Sequence, residues 1–182
     1  MRFIAVVACV LVLAASVFLF GCQGISGGFE QKSNLTLASP AFAAGGEIPR
    51  AHTCDASDVS PPLTISKIPE GTQSLALVVE DPDAPMKNWV HWIVWNIPAG
   101  TTDIAKNTVP EGAVQGPNNY GAKKWDGPCP PQGQKHNYVF KLYALDTVLN
   151  IPDSSGKPRL EAEMQGHVLG QTSLTAKYTR PI

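Results

Sequence analysis

The chain has 182 residues, among them 16 glycines and 16 prolines. That length allows one domain with a substantial core, and the Gly and Pro content favours short strands and loops over a helical bundle. Lys and Arg number 14 against 15 Asp and Glu, a formal net charge of −1. Because the basic residues are not clustered, we expect no nucleic-acid partner.

The N-terminus has the pattern of an export signal. Arg2 precedes an apolar run from Phe3 to Phe20, and the small residue Gly21 follows it. The stretch from Leu19 to Cys22 resembles a bacterial lipobox, which predicts that residues 1–21 are a cleaved signal peptide and that Cys22 is lipidated. Phe20 departs from the small residue usual at its position. Retention of the apolar run as a membrane anchor, for which it is just long enough, and ordinary secretion are the alternatives.

Each of these alternatives exports the domain. The predicted location is the bacterial cell envelope, where the protein is a lipoprotein held on the periplasmic side of the membrane through Cys22. Residues 22–33 are rich in Gly, Ser and Gln, which predicts a flexible tether. The folded domain is then residues 34–182.

Two cysteines, Cys54 and Cys129, remain after Cys9 leaves with the signal and Cys22 takes the lipid. In an oxidising compartment an even pair predicts a disulfide, which by the chain-entropy relation contributes on the order of 4 kcal/mol. The alternative is two separate buried thiols. Neither cysteine belongs to a CxxC pair, so a two-cysteine metal site is not expected.

Seven segments have the patterns of short strands. They are residues 34–39, a short piece near 47–49, 61–66, 74–80, 89–97, 136–145 and 171–178. One short helix is predicted from Lys157 to Met164, with Pro158 in its first turn and Gly166 ending it. Strands first and one short helix near the C-terminus predict a mostly antiparallel β-sandwich.

The long segment 98–133 has little regular pattern and many Gly and Pro residues. Loops of this length are uncommon in compact domains and are usually functional. This one either folds over a ligand or is a surface excursion held by Cys129.

Alternation along the strands predicts which side chains share a face. In the strand after the Asp81-Pro82-Asp83-Ala84-Pro85 turn, one face carries Trp89, His91, Ile93 and Trp95, and the other carries Val90, Trp92, Val94 and Asn96. In the later strand, His136 and Tyr138 share an apolar face. Each histidine therefore enters near the start of an apolar face, close to an acidic turn.

These polar groups suit an anion pocket. Two imidazoles can donate hydrogen bonds to a phosphate or carboxylate, Asp81 can orient one ring, and Gly-Pro turns supply backbone N–H groups. A satisfied core histidine is the alternative for each ring. We expect no metal, because the candidate ligands lack a motif spacing such as HExxH. We expect no catalysis, because no activated nucleophile or separated carboxylate pair appears.

Four motifs, in order, resemble the phosphatidylethanolamine-binding protein family, and in particular its bacterial Raf-kinase-inhibitor-like branch. They are the Asp81–Pro85 turn, His91-Trp92, the Gly127-Pro128-Cys129-Pro130-Pro131 loop and His136-Asn137-Tyr138. The resemblance spans about Leu35 to Thr179 and implies an antiparallel β-sandwich with a small pocket for phosphate-like or carboxylate-like anions.

Carried over residue by residue, the resemblance assigns eight ligand-binding positions: Asp81, Asp83, Pro85, His91, Gly127, Pro128, His136 and Tyr138. Asn137 stands where the family usually has Arg, and alternation places it opposite His136. The expected function is non-catalytic binding of a small anion or phospholipid head group without a cofactor. The alternative is an inhibitor or adaptor of an envelope protease or kinase that acts through surface contacts.

Overall fold

The computed structural model describes residues 34–86 and 88–182. Eight strands and one α-helix follow in chain order: β1 (Thr36–Ala38), β2 (Leu63–Ser66), β3 (Ser74–Asp81), β4 (Trp89–Pro98), β5 (Asp103–Ile104), β6 (Val114–Gln115), β7 (Lys135–Leu145), α1 (Lys157–Met164) and β8 (Val168–Thr179). A 3-10 turn covers Arg50–His52. The predicted helix bounds are confirmed, and Gly166 follows the helix with a left-handed φ of 82°.

Two antiparallel sheets form the predicted sandwich. The larger has the order β6-β4-β3-β7-β8 and the smaller the order β1-β2-β5. Apolar side chains of both sheets, such as Leu37, Ile65, Leu77 and Phe140, form the core between them. The fold class predicted from the sequence is therefore confirmed.

The short strand predicted near residues 47–49 does not form. Glu47 instead makes one isolated parallel bridge to Lys177 of β8. The Ile48 amide donates to the Lys177 carbonyl at 2.7 Å, and the Lys177 amide donates to the Gly46 carbonyl at 2.9 Å. Because so few residues pair, this segment only covers part of the outer edge of β8.

A β-bulge in β4 changes the predicted faces. Val79 of β3 pairs with Trp92, but the next residue, Glu80, pairs with Val90, so His91 is an extra residue. His91 and Trp92 consequently lie on the same face of the sheet, and Val90 joins Ile93 in the core under α1. Strict alternation along β4 was therefore wrong beyond His91.

A second core lies between the large sheet and α1, and it contains a buried charge. Leu160 and Met164 of α1 pack there. The Glu80 carboxylate, 2% exposed, contacts the ammonium groups of Lys141 and Lys157. Burial raises the pKa of Glu80, but hydrogen bonds and charge from the two lysines outweigh burial, and its pKa lies below the usual value.

The predicted Cys54–Cys129 disulfide is present, with the Cα atoms 5.5 Å apart. It joins the chain after the 3-10 turn to the loop before β7. Two hydrogen bonds run alongside it: the Cys54 amide donates to the Pro128 carbonyl at 3.2 Å, and the Gly127 amide donates to Asp58 Oδ1 at 2.8 Å. Covalent and polar contacts thus hold the same two segments together.

The predictions for the signal peptide 1–21, for lipidation of Cys22 and for the tether 22–33 lie outside the described residues. Within 34–86 and 88–182, no helix has the length and apolar character needed to cross a membrane.

Candidate functional site

A cavity of about 230 Å³ lies where the β3–β4 turn meets the loops before β7. Its wall is formed by Asp81, Ala84, Pro85, Met86, Trp89, His91, Tyr120 and Cys129. Three of the predicted ligand-binding residues, Asp81, Pro85 and His91, therefore line it directly. The rest of the wall is mostly apolar, and Met86 and Tyr120 are 63% and 53% exposed.

The Asp81 carboxylate organises the acidic turn and one imidazole. Its Oδ1 accepts hydrogen bonds from the amides of Asp83 at 2.8 Å and Ala84 at 2.9 Å. Its Oδ2 lies 2.8 Å from Nδ1 of His136. Because a carboxylate accepts, Nδ1 carries the proton, and Nε2 is the remaining polar atom of the His136 ring. As predicted, Asp81 orients one ring, and that ring is His136.

The second imidazole, His91, is held by the backbone. Its Nδ1 lies 2.6 Å from the carbonyl oxygen of Asp126, so Nδ1 donates, and Nε2 of the neutral ring is an acceptor. Burial lowers the pKa of His91, although the Asp126 carbonyl and the carboxylates of Asp81, Asp126 and Asp58 act in the opposite direction. Near neutral pH this imidazole is therefore uncharged, and it donates to an anion only after it takes up a proton.

Two further donors lie beside His91 without partners. The Tyr138 ring packs edge-on against His91 with centroids 5.3 Å apart. Its buried hydroxyl has no hydrogen-bond partner among the described residues, and the same is true of Trp89 Nε1. Burial and the nearby Asp81 charge raise the pKa of Tyr138 far above the usual value, so its hydroxyl stays protonated. Both groups are sealed from solvent beside the cavity, and contact of either with a ligand stays a prediction.

The other predicted residues lie behind or beside the cavity wall. His136 and Tyr138 are 6% and 1% exposed. Gly127 and Pro128 are also buried, and their neighbour Cys129 reaches the cavity instead. Only glycine fits at position 127, because an added Cβ would overlap the His52 carbonyl oxygen. Contact of these four residues with a ligand stays a prediction.

Asp83 lies outside the cavity. Its Oδ2 accepts from both the amide and the side-chain Nδ2 of Asn137, each at 2.7 Å. This carboxylate therefore braces the acidic turn from the outer side. Asn137 is on the opposite face from His136, as expected, but its contact is with the turn that shapes the pocket.

Sequence reasoning missed five lining residues: Ala84, Met86, Trp89, Tyr120 and Cys129. Tyr120 had one signal, since it is an aromatic residue in the long loop 98–133. Among residues 34–86 and 88–182, no group of three His, Cys, Asp or Glu residues is arranged to hold a metal ion.

Comparison with known proteins identifies the family. The family profile for phosphatidylethanolamine-binding protein matches residues 38–179. The chain belongs to the phosphatidylethanolamine-binding protein family. One relative is a UPF0098 protein of Methanothermobacter thermautotrophicus, 44% identical over 151 residues, which cover 80% of this chain and 99% of the relative. A UPF0098 protein of Aquifex aeolicus is 39% identical over 80% of this chain and 89% of its own length.

Solved structures of this family have the same fold. The phosphatidylethanolamine-binding protein homolog CT736 from Chlamydia trachomatis superposes with a TM-score of 0.77 and 37% identity, covering 82% of this chain and 99% of that one. Escherichia coli YbcL, described as a member of the mammalian family, gives a TM-score of 0.75 with 33% identity over 80% of this chain and 98% of its own.

Proposed function

We propose that this family member is an exported, membrane-anchored protein that binds a small anion without catalysis. The anion is a phosphate, a carboxylate or a phospholipid head group. The observation that carries the proposal is a small cavity lined by the fixed imidazole of His91, with two buried donors, Tyr138 Oη and Trp89 Nε1, close to its wall. A buried donor without a partner is costly, and an anion would satisfy it.

The acidic side chain in the wall does not oppose an anion strongly. All the hydrogen bonds described for Asp81 point to protein groups, two amides and the His136 ring. These donors offset part of its negative charge, and a proton taken up by His91 adds a positive charge on the side of the anion. An anion near His91 favours the protonated ring, so binding is coupled to proton uptake.

The apolar part of the wall suits a ligand with a carbon portion next to its charge. Pro85, Met86 and Tyr120 line the cavity, and the last two are largely exposed. A phosphate monoester would bury its ester carbons against these side chains, which adds hydrophobic stabilisation that free phosphate lacks. We therefore expect phosphoethanolamine to bind more tightly than inorganic phosphate.

Calorimetric titration with sulfate, phosphate and phosphoethanolamine tests the proposal. Sulfate keeps its charge between about pH 5.5 and about pH 7.5, so its pH dependence reports the protein, and its affinity should rise at the lower pH as His91 becomes protonated. Tyr138→Phe removes only the hydroxyl and should weaken binding roughly tenfold. Tyr143→Phe, at a partly buried position packed against the core under α1, is the matched control.

Equal sulfate affinity at both pH values would refute the role of His91. Unchanged affinity in Tyr138→Phe would refute the role of its hydroxyl, and failure of all three anions to bind would end the proposal. If the protein is not an enzyme for this ligand, phosphorus NMR should show that phosphoethanolamine remains intact after long incubation. If Cys22 carries the membrane anchor, mass spectrometry should show an added mass the size of a lipid on Cys22. The Cys22→Ala variant should then be lost from the membrane fraction.

A further inference from the structure

Asn118 ties the long loop 98–133 to the strand that carries His91. It is 6% exposed and is not part of the wall of the anion cavity. Its side chain nevertheless accepts two hydrogen bonds and donates three. A buried amide with this many partners fixes the groups around it, and two of these groups belong to the anion site.

The oxygen of the Asn118 side chain closes a turn that holds Tyr120 in the cavity wall. Asn118 Oδ1 accepts from the amides of Tyr120 at 2.9 Å and Ala122 at 3.1 Å. The Asn118 amide donates to the Ala122 carbonyl at 2.9 Å, and the Gly121 amide donates to the Asn118 carbonyl at 3.0 Å. The Tyr120 ring packs edge-on against His91, with centroids 5.9 Å apart. This half of the side chain therefore fixes an aromatic part of the wall.

The amino group of the same side chain holds both partners of the His91 hydrogen bond. Asn118 Nδ2 donates to Asp126 Oδ2 at 2.7 Å, to the Lys124 carbonyl at 3.1 Å and to the His91 carbonyl at 3.2 Å, so its two protons are shared among three acceptors. The Asp126 amide donates to the His91 carbonyl at 3.3 Å. The Asp126 carbonyl accepts from His91 Nδ1 at 2.6 Å. Asn118 thus fixes the carbonyl that in turn fixes the imidazole.

The proton position in a neutral histidine is set by the hydrogen bond that one of its nitrogens makes. We propose that Asn118 is a positioning residue of the anion site, which keeps the proton of neutral His91 on Nδ1 and leaves Nε2 as the atom open to a ligand. Without a fixed Asp126 carbonyl, the ring would turn and its proton would move in part to Nε2. The ring would then have to be ordered again whenever an anion binds.

Nitrogen NMR of the full chain, labelled in its histidine rings, measures the tautomer at about pH 8, where the ring is neutral. His91→Gln assigns the signals, and the wild-type ring should carry its proton on Nδ1. Asn118→Ala removes all five side-chain bonds and should move the proton in part to Nε2. Asn118→Asp keeps an oxygen for the two amides of the turn but cannot donate to Asp126, so it should have the same effect.

The next residue in the loop supplies a matched control. Asn119 Oδ1 accepts from the Val90 amide at 2.5 Å, so Asn119 also ties the loop to β4, but at Val90 rather than at His91 and Asp126. Asn119→Ala should therefore keep the wild-type tautomer. An unchanged tautomer in both Asn118 variants would overturn the proposal. An equal change in Asn119→Ala would overturn it as well, because loosening of the loop would then be sufficient.

A second measurement, sulfate titration at about pH 5.5, rests on the proposed anion binding. Sulfate affinity should fall roughly threefold to tenfold in Asn118→Ala and stay within about twofold of wild type in Asn119→Ala. A changed tautomer with unchanged sulfate affinity would overturn the role of Asn118 in binding. If sulfate does not bind the wild-type protein, anion binding itself is refuted, and the tautomer measurement still decides whether Asn118 positions the ring.

Discussion

Opening the Cys54–Cys129 disulfide should remove a large part of the domain's stability. The two residues are 75 apart in the sequence. By the chain-entropy relation, a cross-link that closes a loop of this length lowers the entropy of the unfolded chain by about 15 cal/mol/K, which is about 4.5 kcal/mol at 25 °C. Since whole domains are stable by only about 5–15 kcal/mol, we expect a marked shift in the unfolding midpoint.

The folded state itself should change little. The Cys54 amide still reaches the Pro128 carbonyl, the Gly127 amide still reaches Asp58, and Arg180 Nη1 still donates to the Pro130 carbonyl at 3.2 Å. The loss therefore acts mainly through the unfolded chain. Sulfate affinity of the protein that remains folded should stay within about threefold of the oxidised form.

Urea denaturation of oxidised and reduced protein measures the effect. The Cys54→Ser, Cys129→Ser double variant separates the loss of the covalent link from the action of the reductant. The unfolding free energy should fall by several kcal/mol, and the m-value should rise because a chain without the cross-link exposes more surface. A fall of less than about 1 kcal/mol in both the reduced protein and the double variant would refute this reasoning.

Three more predictions concern charged and polar contacts. Glu80→Gln should lower the unfolding free energy by roughly 2 kcal/mol in denaturation experiments, because two lysines lose a buried partner, whereas the exposed Glu161→Gln should cost under about 0.5 kcal/mol. Folding lowers the pKa of His91, so below about pH 6.5 the unfolded chain takes up a proton that the folded protein does not, and the unfolding free energy should decrease. His91→Gln should flatten the plot of unfolding free energy against pH. An unchanged slope in this variant would contradict the reasoning. Asn137→Ala keeps the backbone bond to Asp83 but loses the side-chain bond, so it should cost about 0.5–1 kcal/mol in thermal denaturation; a larger loss would mean that the turn depends on Asn137 beyond this contact.

Local patterns predicted the elements well where the apolar periodicity was strong. Residues 74–80, 89–97 and 136–145 lie in β3, β4 and β7, and the bounds of α1 agree with the prediction. The final strand begins at Val168, three residues before the predicted start, because pairing with β7 continues past Gly170 after a register shift. Such an extension depends on the partner strand and is not encoded in local alternation.

The site was predicted in part for the same reason. Motifs placed Asp81, Pro85 and His91 at one cavity, and Asp81 orients an imidazole as expected. The neutral state of His91 depends on burial, which outweighs the opposing effect of the Asp126 carbonyl, 35 residues away, and spacing along the chain shows neither. The outward position of Asp83 likewise depends on Asn137, in a distant strand.

The extra residue at His91 lets β4 keep its pairing with β3 while it turns an additional side chain toward the cavity. Along β4, both faces are buried, so slipping the whole strand by one residue would move every side chain of one core into the other. The bulge inserts one position locally and leaves the pairing of Trp92 with Val79 and of Trp89 with Asp81 intact. An imidazole thus reaches the cavity without disturbing the register on either side. Deleting one residue between Trp89 and Trp92 would restore regular pleating, and the cavity would lose its histidine while the sandwich kept its core.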